Sequence, residues 1–265
     1  MARKPRWTKT AYESGVATID LFSWDYFGDF IYDIMLNSTS FIYRGHRCEN
    51  WVLESTLDRL LRKRHGYLDE KHANNQLNRF KYAARGRRGT NPPDLKTDND
   101  WWALGQHHGL ATPLLDWTAS PYVAAYFAYC NSKSDDTKKR VVFALAQNAI
   151  RDKSAAIVKA HTGTGKPSAI DFFKPFSDEN SRLVNQGGLF TNAPVGVDIE
   201  KWVKQNFKDE TRYWILIKLR IPSSDREPCL RELNRMNINH LTLFPDLYGA
   251  SAFCNTSAAI KSYSG

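Results

Sequence analysis

Apolar positions along the chain fall into blocks of different period. Val16, Leu21, Trp24, Phe27, Phe30, Ile31 and Ile34 recur at helical spacing, which predicts an amphipathic helix within residues 16–36. Ser40-Phe41-Ile42-Tyr43-Arg44-Gly45 reads as a short strand stopped by glycine. Thr56 to Arg64 and Asp69 to Arg85 read as basic helices, and residues 86–93 as a Gly/Pro loop. Asp98 is placed to cap a helix carrying Trp101, Trp102 and Leu104. Thr112 to Trp117 predicts a strand, and Ser120-Pro121 then stands as N-cap and first turn of an apolar helix through Tyr129. Further strands are expected at Arg140–Leu145 and Arg212–Ile221. A helix opening at Ser223 or Ser224 would set Leu230, Leu233 and Met236 on one face. Strands and helices mix without regular alternation, so the expected class is α+β, a single compact domain.

Composition narrows this further. The 265 residues are 42% hydrophobic with 14 Phe, 12 Tyr and 8 Trp, enough for a sizeable core and unlike a disordered chain. No apolar run approaches the roughly 20 residues of a membrane span, and the basic start lacks the apolar stretch of a secretory signal. Cys48, Cys130, Cys229 and Cys254 are scattered without C-x-x-C spacing. That suits a reducing cytoplasm and no metal site. Gly163-Thr164-Gly165-Lys166-Pro167-Ser168 imitates a phosphate loop but lacks its first glycine, and Pro167 replaces the hydroxyl residue.

The charge is concentrated. Between Arg59 and Arg88 stand ten Lys or Arg against Asp69 and Glu70, in a chain of net +9. Arg62, Arg64, Arg79, Lys81, Arg85, Arg87 and Arg88 are interleaved with His65, Tyr67, Phe80 and Tyr82. Cations among aromatics suit single-stranded nucleic acid. A solvated helix face or a dock for an acidic protein is the plainer alternative.

Chemistry concentrates in Gly105-Gln106-His107-His108-Gly109 through Leu115-Asp116-Trp117-Thr118-Ala119-Ser120-Pro121. Two His, an acid expected to be buried, a Trp and hydroxyls around one short strand are more polar atoms than a core strand needs. His107 and His108 can donate to a ligand or exchange protons. Asp116 either orients one of them or holds Arg44. Arg44 at a strand end can grip a phosphate or carboxylate, with Gly45 admitting a ligand to the backbone. Arg182 and Gln186 sit i,i+4 before Gly187-Gly188, and Asp246 opens a C-terminal helix, more as a cap than as a catalyst.

In this order, Tyr43-Arg44-Gly45, the block from Gln106 to Pro121 with the Ala-Ala-Tyr-Phe-Ala helix at 124–128, Arg182 to Phe190, and Leu243 to Gly249 resemble the FRG domain family. The resemblance spans roughly residues 38–255. It implies a basic segment and helix over 1–37, an FRG domain over 38–255 with a basic helical insertion at 59–88, and a tail at 256–265. FRG domains look like distant relatives of ADP-ribosyltransferases, which implies a split-sheet core with added helices. The resemblance further implies NAD as a substrate held by Tyr43, Arg44, Gly45, Trp117, Thr118 and Tyr126. Gln186 to Phe190 lies where that superfamily carries a Glu-x-Glu strand, and here no Glu stands there. His107, His108, Gln186 and Asp116 are the candidates to act instead.

The expected function is ADP-ribosyl transfer from NAD to nucleic acid, single-stranded RNA above all. The family setting adds a bacterial toxin of a toxin–antitoxin or phage-defence system, neutralised by a partner protein. An NAD glycohydrolase, a protein ADP-ribosyltransferase and a non-catalytic RNA- or nucleotide-binding module are the alternatives.

Overall fold

The chain opens on a hairpin. β1 (Trp7–Glu13) and β2 (Val16–Leu21) are joined by Ser14 and Gly15, whose φ angles are 50° and 79°. A two-residue turn with both φ positive matches the twist of its strands. The computed structural model describes residues 5–66, 68–131, 137–175 and 184–263. The helix expected from residue 16 is therefore corrected: Val16–Leu21 is hydrogen-bonded on both sides in a sheet. Helical structure starts at Trp24, as a 3-10 turn (Trp24–Tyr26), α1 (Phe27–Phe30) and a π turn (Ile31–Met35). The apolar spacing from Trp24 onward is helical, whereas the stretch before it is set by its β-branched residues and the Ser-Gly turn.

Six more strands complete one sheet: β3 (Phe41–His46), β4 (Leu114–Thr118), β5 (Lys139–Ala146), β6 (Asp171–Phe173), β7 (Gly188–Asn192) and β8 (Leu216–Pro222). Their order is β1-β2-β8-β5-β3-β4-β7-β6, with β2 and β8 parallel and the other neighbours antiparallel. The strand expected at Arg212 begins only at Leu216, because Arg212 and Tyr213 give their backbone N–H groups to Glu210 Oε1 at 2.7 and 2.8 Å. The strand expected from Thr112 begins at Leu114: the Thr112 carbonyl is taken by Leu57 N.

Helices cover both faces. They are α2 (Thr56–His65), α3 (Glu70–Ala83), α4 (Asp98–His107), α5 (Pro121–Tyr129), α6 (Gln147–Ala160), α7 (Ile199–Asn206), α8 (Arg226–Arg235), α9 (His240–Leu243) and α10 (Leu247–Ala259). The cap of α4 is Thr97, with Asp100 answering it in a capping box, and not Asp98. Ser120 caps α5 as expected. Met236 lies just past α8 and is exposed, so only Leu230 and Leu233 of its expected face are buried. α10 runs through position 255, and Ile260 and Tyr263 beyond it are buried in the core.

From Val141 to Ala146 β5 is apolar because both its faces are covered. Val142 and Ala144 pack with α5, α8 and Phe27, while Val141, Phe143 and Leu145 pack with Ile150 of α6 and Trp202 of α7. α2, α3 and α4 form a third cluster against Leu114 and Phe190. The result is one α+β unit on a mixed open sheet. No helix among the described residues is long and apolar enough to cross a membrane.

One seam in the sheet is thin. β3 pairs with β5 from Phe41 to His46 and β4 pairs with β7 from Leu114 to Thr118, but β3 and β4 meet only at Tyr43 and Thr118. Beyond that rung the strands part, and the parting opens a cleft.

Candidate functional site

The cleft measures about 410 Å³ and is lined by Tyr43, Arg44, Gly45, Ala103, Gln106, His107, Asp116, Trp117, Thr118, Ala124, Phe127, Gln186, Phe190 and Phe244. That volume lies in the range of small-molecule sites. The sequence-predicted residues from β3, the end of α4, β4 and the turn before β7 are thus brought together.

Arg44 spans the parted strands. Its Nη1 donates to the Asp116 carbonyl at 2.6 Å and stands 3.6 Å from Asp116 Oδ2, and its Nε donates to His46 Nε2 at 3.0 Å. Its Nη2 has no bond partner among the described residues. Burial pulls the guanidinium down from its ordinary value, and the Asp116 carboxylate opposes this. An arginine stays charged through such a shift. His46 is pushed down to about 3, first by burial and then by the charge of Arg44. It is a neutral acceptor that fixes the arginine.

Asp116 is the acid of the cleft, and the expectation that it is buried is corrected. The β4 alternation turns Leu115 and Trp117 into the core and Asp116 outward, where its side chain is 58% exposed. It is held in place nonetheless. Gln106 Nε2 donates to Asp116 Oδ1 at 2.7 Å, and Thr112 Oγ1 donates to Gln106 Oε1. Thr112 is itself fully buried and bonded to the first turn of α2. Gln106 is in this way a fixed amide with both ends in use.

The other predicted residues divide by place. His107 lines the cleft beside Asp116, whereas His108 is exposed at the end of α4, off the lining. Trp117 is a cleft wall and also core, its Nε1 donating to Thr191 Oγ1 at 3.0 Å. Thr118 donates to the Gln186 carbonyl at 2.6 Å and accepts from Ser120 N at 3.1 Å, so its hydroxyl ties three segments together. Gln186 Nε2 donates to the Leu243 carbonyl at 3.1 Å. Its expected partner Arg182 lies outside the described residues. Tyr43 is buried and pushed up to about 12 by that burial, a neutral phenol. Tyr126 is not brought to the cleft: it is wholly buried, with its hydroxyl 2.5 Å from His240 Nδ1.

Gly45 lines the cleft and has a second, structural use. A Cβ there would stand 1.9 Å from the Ala124 carbonyl oxygen and 2.6 Å from Ala128 N. In the direction a side chain would take, the glycine admits the backbone of α5 against β3. Asp246 caps α10 by accepting from Gly249 N at 3.0 Å.

His46 lies outside the motifs read from the sequence, whereas Phe127, Phe190, Phe244 and Gln106 were read only as parts of them, with no role at the site. His46 had a signal, since it lies two residues after Arg44 on the same strand face. The three phenylalanines fall within quoted motif segments, but nothing in those segments showed that they line one cleft.

The basic segment sorts into paired and open cations. Arg62 pairs with the buried Glu54, Lys81 with Asp98 at 2.6 Å, and Arg88 donates to the Pro93 carbonyl beneath Trp101. Arg64, Arg79 and Arg87 are exposed, with no ion pair among the described residues. Arg85 lies over the exposed Tyr82 ring at 3.8 Å. The segment packs on α4 through Leu77, Phe80, Trp101 and Trp102. From Trp101 to His107 is about 9 Å along the helix axis.

Residues 39–137 match the family model of the FRG domain. This span holds Arg44, His46, Gln106, His107 and Asp116, together with the basic helices. No curated protein and no solved structure matches the chain.

Proposed function

We propose that this FRG domain protein is an ADP-ribosyltransferase that uses NAD and modifies single-stranded nucleic acid, RNA above all. The observation that carries the reading is Arg44: a fixed guanidinium with one nitrogen to spare, set in a cleft walled by Tyr43, Trp117, Phe127, Phe190 and Phe244. A cation beside flat apolar walls fits a dinucleotide, which joins an anionic bridge to planar rings. The resemblance of FRG domains to ADP-ribosyltransferases supports the same chemistry.

NAD supplies an ADP-ribosyl group whose bond to nicotinamide breaks with the electron pair leaving on the ring, so the leaving group departs neutral. Arg44 binds the anionic bridge, and aromatic walls orient the ring. Asp116, with Gln106 behind it, accepts from a ribose hydroxyl and offsets positive charge developing at the sugar carbon. His107 takes the proton that the acceptor nitrogen or oxygen loses as it bonds to that carbon. Asp116 thereby fills the role for which no Glu stands near Gln186. The open cations of α2 and α3 hold the phosphates of the acceptor. An activity of this kind harms the cell that makes it, which supports a toxin role in antiphage defence and a neutralising partner protein.

The test is incubation of the purified chain with radiolabelled NAD and total RNA, DNA or protein, with Arg44→Ala as control. Label should enter RNA and be lost in the variant. Nicotinamide release without transfer would instead mark a glycohydrolase, label in protein a protein transferase, and no turnover a binding module.

A further inference from the structure

Lys71, Asn75, Asn78, Tyr82 and Arg85 follow one another at intervals of three and four residues, and so form a single stripe along the outer face of α3 and just past its end. All five are exposed, and Arg79 is exposed beside them. The buried side of the helix is opposite: Ala73 and Leu77 pack with α2 and α4, and Phe80 lies edge-on to Trp101. Glu70, the one carboxylate of α3, points round the helix to Lys166, whose Nζ is 2.8 Å away. The stripe therefore carries only cations, amides and one ring. Lys71, Arg79 and Arg85 have no ion pair among the described residues. Of the aromatic residues interleaved with the cations, Phe80 is turned inward and Tyr67 lies outside the described residues, whereas Tyr82 is 71% exposed. Arg85 Cζ stands 3.8 Å from the Tyr82 ring centroid, and Arg85 Nε donates to the Tyr82 carbonyl at 3.4 Å. The guanidinium covers one face of the ring and steadies it, which leaves the other face open.

We propose that the outer face of α3 is a binding surface for single-stranded nucleic acid, with one unpaired base stacked on the open face of Tyr82 and the flanking phosphates on Lys71, Arg79 and Arg85. The inference rests on the reading of the acceptor as nucleic acid and adds to it a base contact and a preference for single strands. Every base has a flat face to lay on a ring, so the surface holds a strand without choosing its sequence. Arg85, stacked on the far face, adds a charge next to the base without competing for its place. An acidic protein would be served by the cations alone and has no use for an open ring among them. A duplex keeps its bases stacked inward, so it reaches the cations and not the ring. From Lys71 to Arg85 the stripe runs about 21 Å along the helix axis, room for a few nucleotides, at the small end of known single-strand sites.

The test uses the full chain and a fluorescein-labelled single-stranded RNA oligonucleotide of mixed sequence, without NAD, followed by anisotropy, with the matching duplex alongside. Tyr82→Ala should weaken single-strand binding about tenfold, within the usual worth of one base–aromatic stack. Tyr82→Leu, which keeps the bulk and loses the ring, should weaken it similarly, and Tyr82→Phe should bind like the parent. The salt slope should stay the same in all three, because no phosphate contact is lost. The duplex should bind more weakly than the single strand, and Tyr82→Ala should leave duplex binding unchanged. The position is exposed, so thermal melting of the variants should match the parent, and Tyr82→Leu decides if Tyr82→Ala fails to fold. Unchanged single-strand binding in both Tyr82→Ala and Tyr82→Leu would overturn the proposal, as would an equal loss for duplex. Displacement of the RNA by poly-glutamate, with no effect of Tyr82→Ala, would overturn it in favour of an acidic protein partner. A chain that moves no label from NAD yet loses single-strand binding in Tyr82→Ala would sink the transferase reading and leave this surface standing. Label entering RNA, with binding unchanged in both variants, would do the reverse.

Discussion

Arg44 is steered by His46: Nε of the one donates to Nε2 of the other at 3.0 Å, two residues apart on one strand face. The imidazole can accept because burial and the neighbouring guanidinium keep it unprotonated. A neutral histidine here sets the direction of the cation that meets the ligand.

This pair makes stability depend on pH. In the folded chain His46 takes up its proton only at about pH 3, whereas the unfolded chain does so near pH 6.5. Between those values the unfolded state holds more protons, so stability rises with pH. The contribution is complete above about pH 6.5 and is lost as pH falls toward 3, with a size on the order of a few kcal/mol. Chemical denaturation from pH 4 to 7.5 should show the loss, and His46→Gln, which still accepts from Arg44, should flatten it. Equal slopes in the two proteins would place the effect elsewhere.

Gly45→Ala should be among the most damaging small changes. The added methyl meets backbone atoms of Ala124 and Ala128, which cannot rotate away as a side chain does. β3 and α5 would have to separate, at about 3 kcal/mol or more. In a chain of this size that lowers the melting temperature by roughly 6–12 °C. A variant that melts with the parent would mean that α5 sits farther from β3.

Asp116→Asn should lower kcat for transfer roughly a hundredfold with little change in KM for NAD. Gln106→Leu should follow in the same direction by a smaller factor, since it removes the donor that holds the carboxylate. A rise in KM alone for both variants would assign Asp116 to binding.

Cations of one segment should behave in two ways. Reversing Arg79, Arg85 and Arg87 to Glu should weaken RNA binding and make it less steep in salt, each lost contact lowering the log–log slope by about 0.7. Arg62→Ala should leave that slope nearly unchanged. It should instead cost on the order of 2 kcal/mol of stability, because Glu54 stays buried without its partner. Binding isotherms at several salt concentrations, set beside denaturation curves, separate the two effects.

Local signals carried much of the fold. Ser120-Pro121 marked the start of α5, and the basic helices, the 86–93 loop and the existence of β3 were legible from caps, charge and breakers, although β3 runs on through Gly45 to His46 and is not stopped by the glycine. Ser14-Gly15 was an equally good signal for a hairpin, but the apolar spacing of Trp24 to Ile34 drew the helix too far forward. The site was legible where one segment held it, as with Arg44, His107 and Asp116. Two kinds of position were not. Tyr126 has the composition of a ligand wall, yet whether an aromatic on a buried helix faces a cleft or the core is decided by packing against His240. Phe190 and Phe244 join the site only through sheet closure and the turn at 240–246, relations between distant parts of the chain.

The lone rung between Tyr43 and Thr118 gives the molecule a mechanical character. Five strands lie on one side of that rung and three on the other, with a single backbone pairing and the Arg44 strap to Asp116 joining β3 to β4. A ligand that takes the spare Nη2 of Arg44 leaves that strap in place, so the anion is gripped by the same side chain that ties the two plates together.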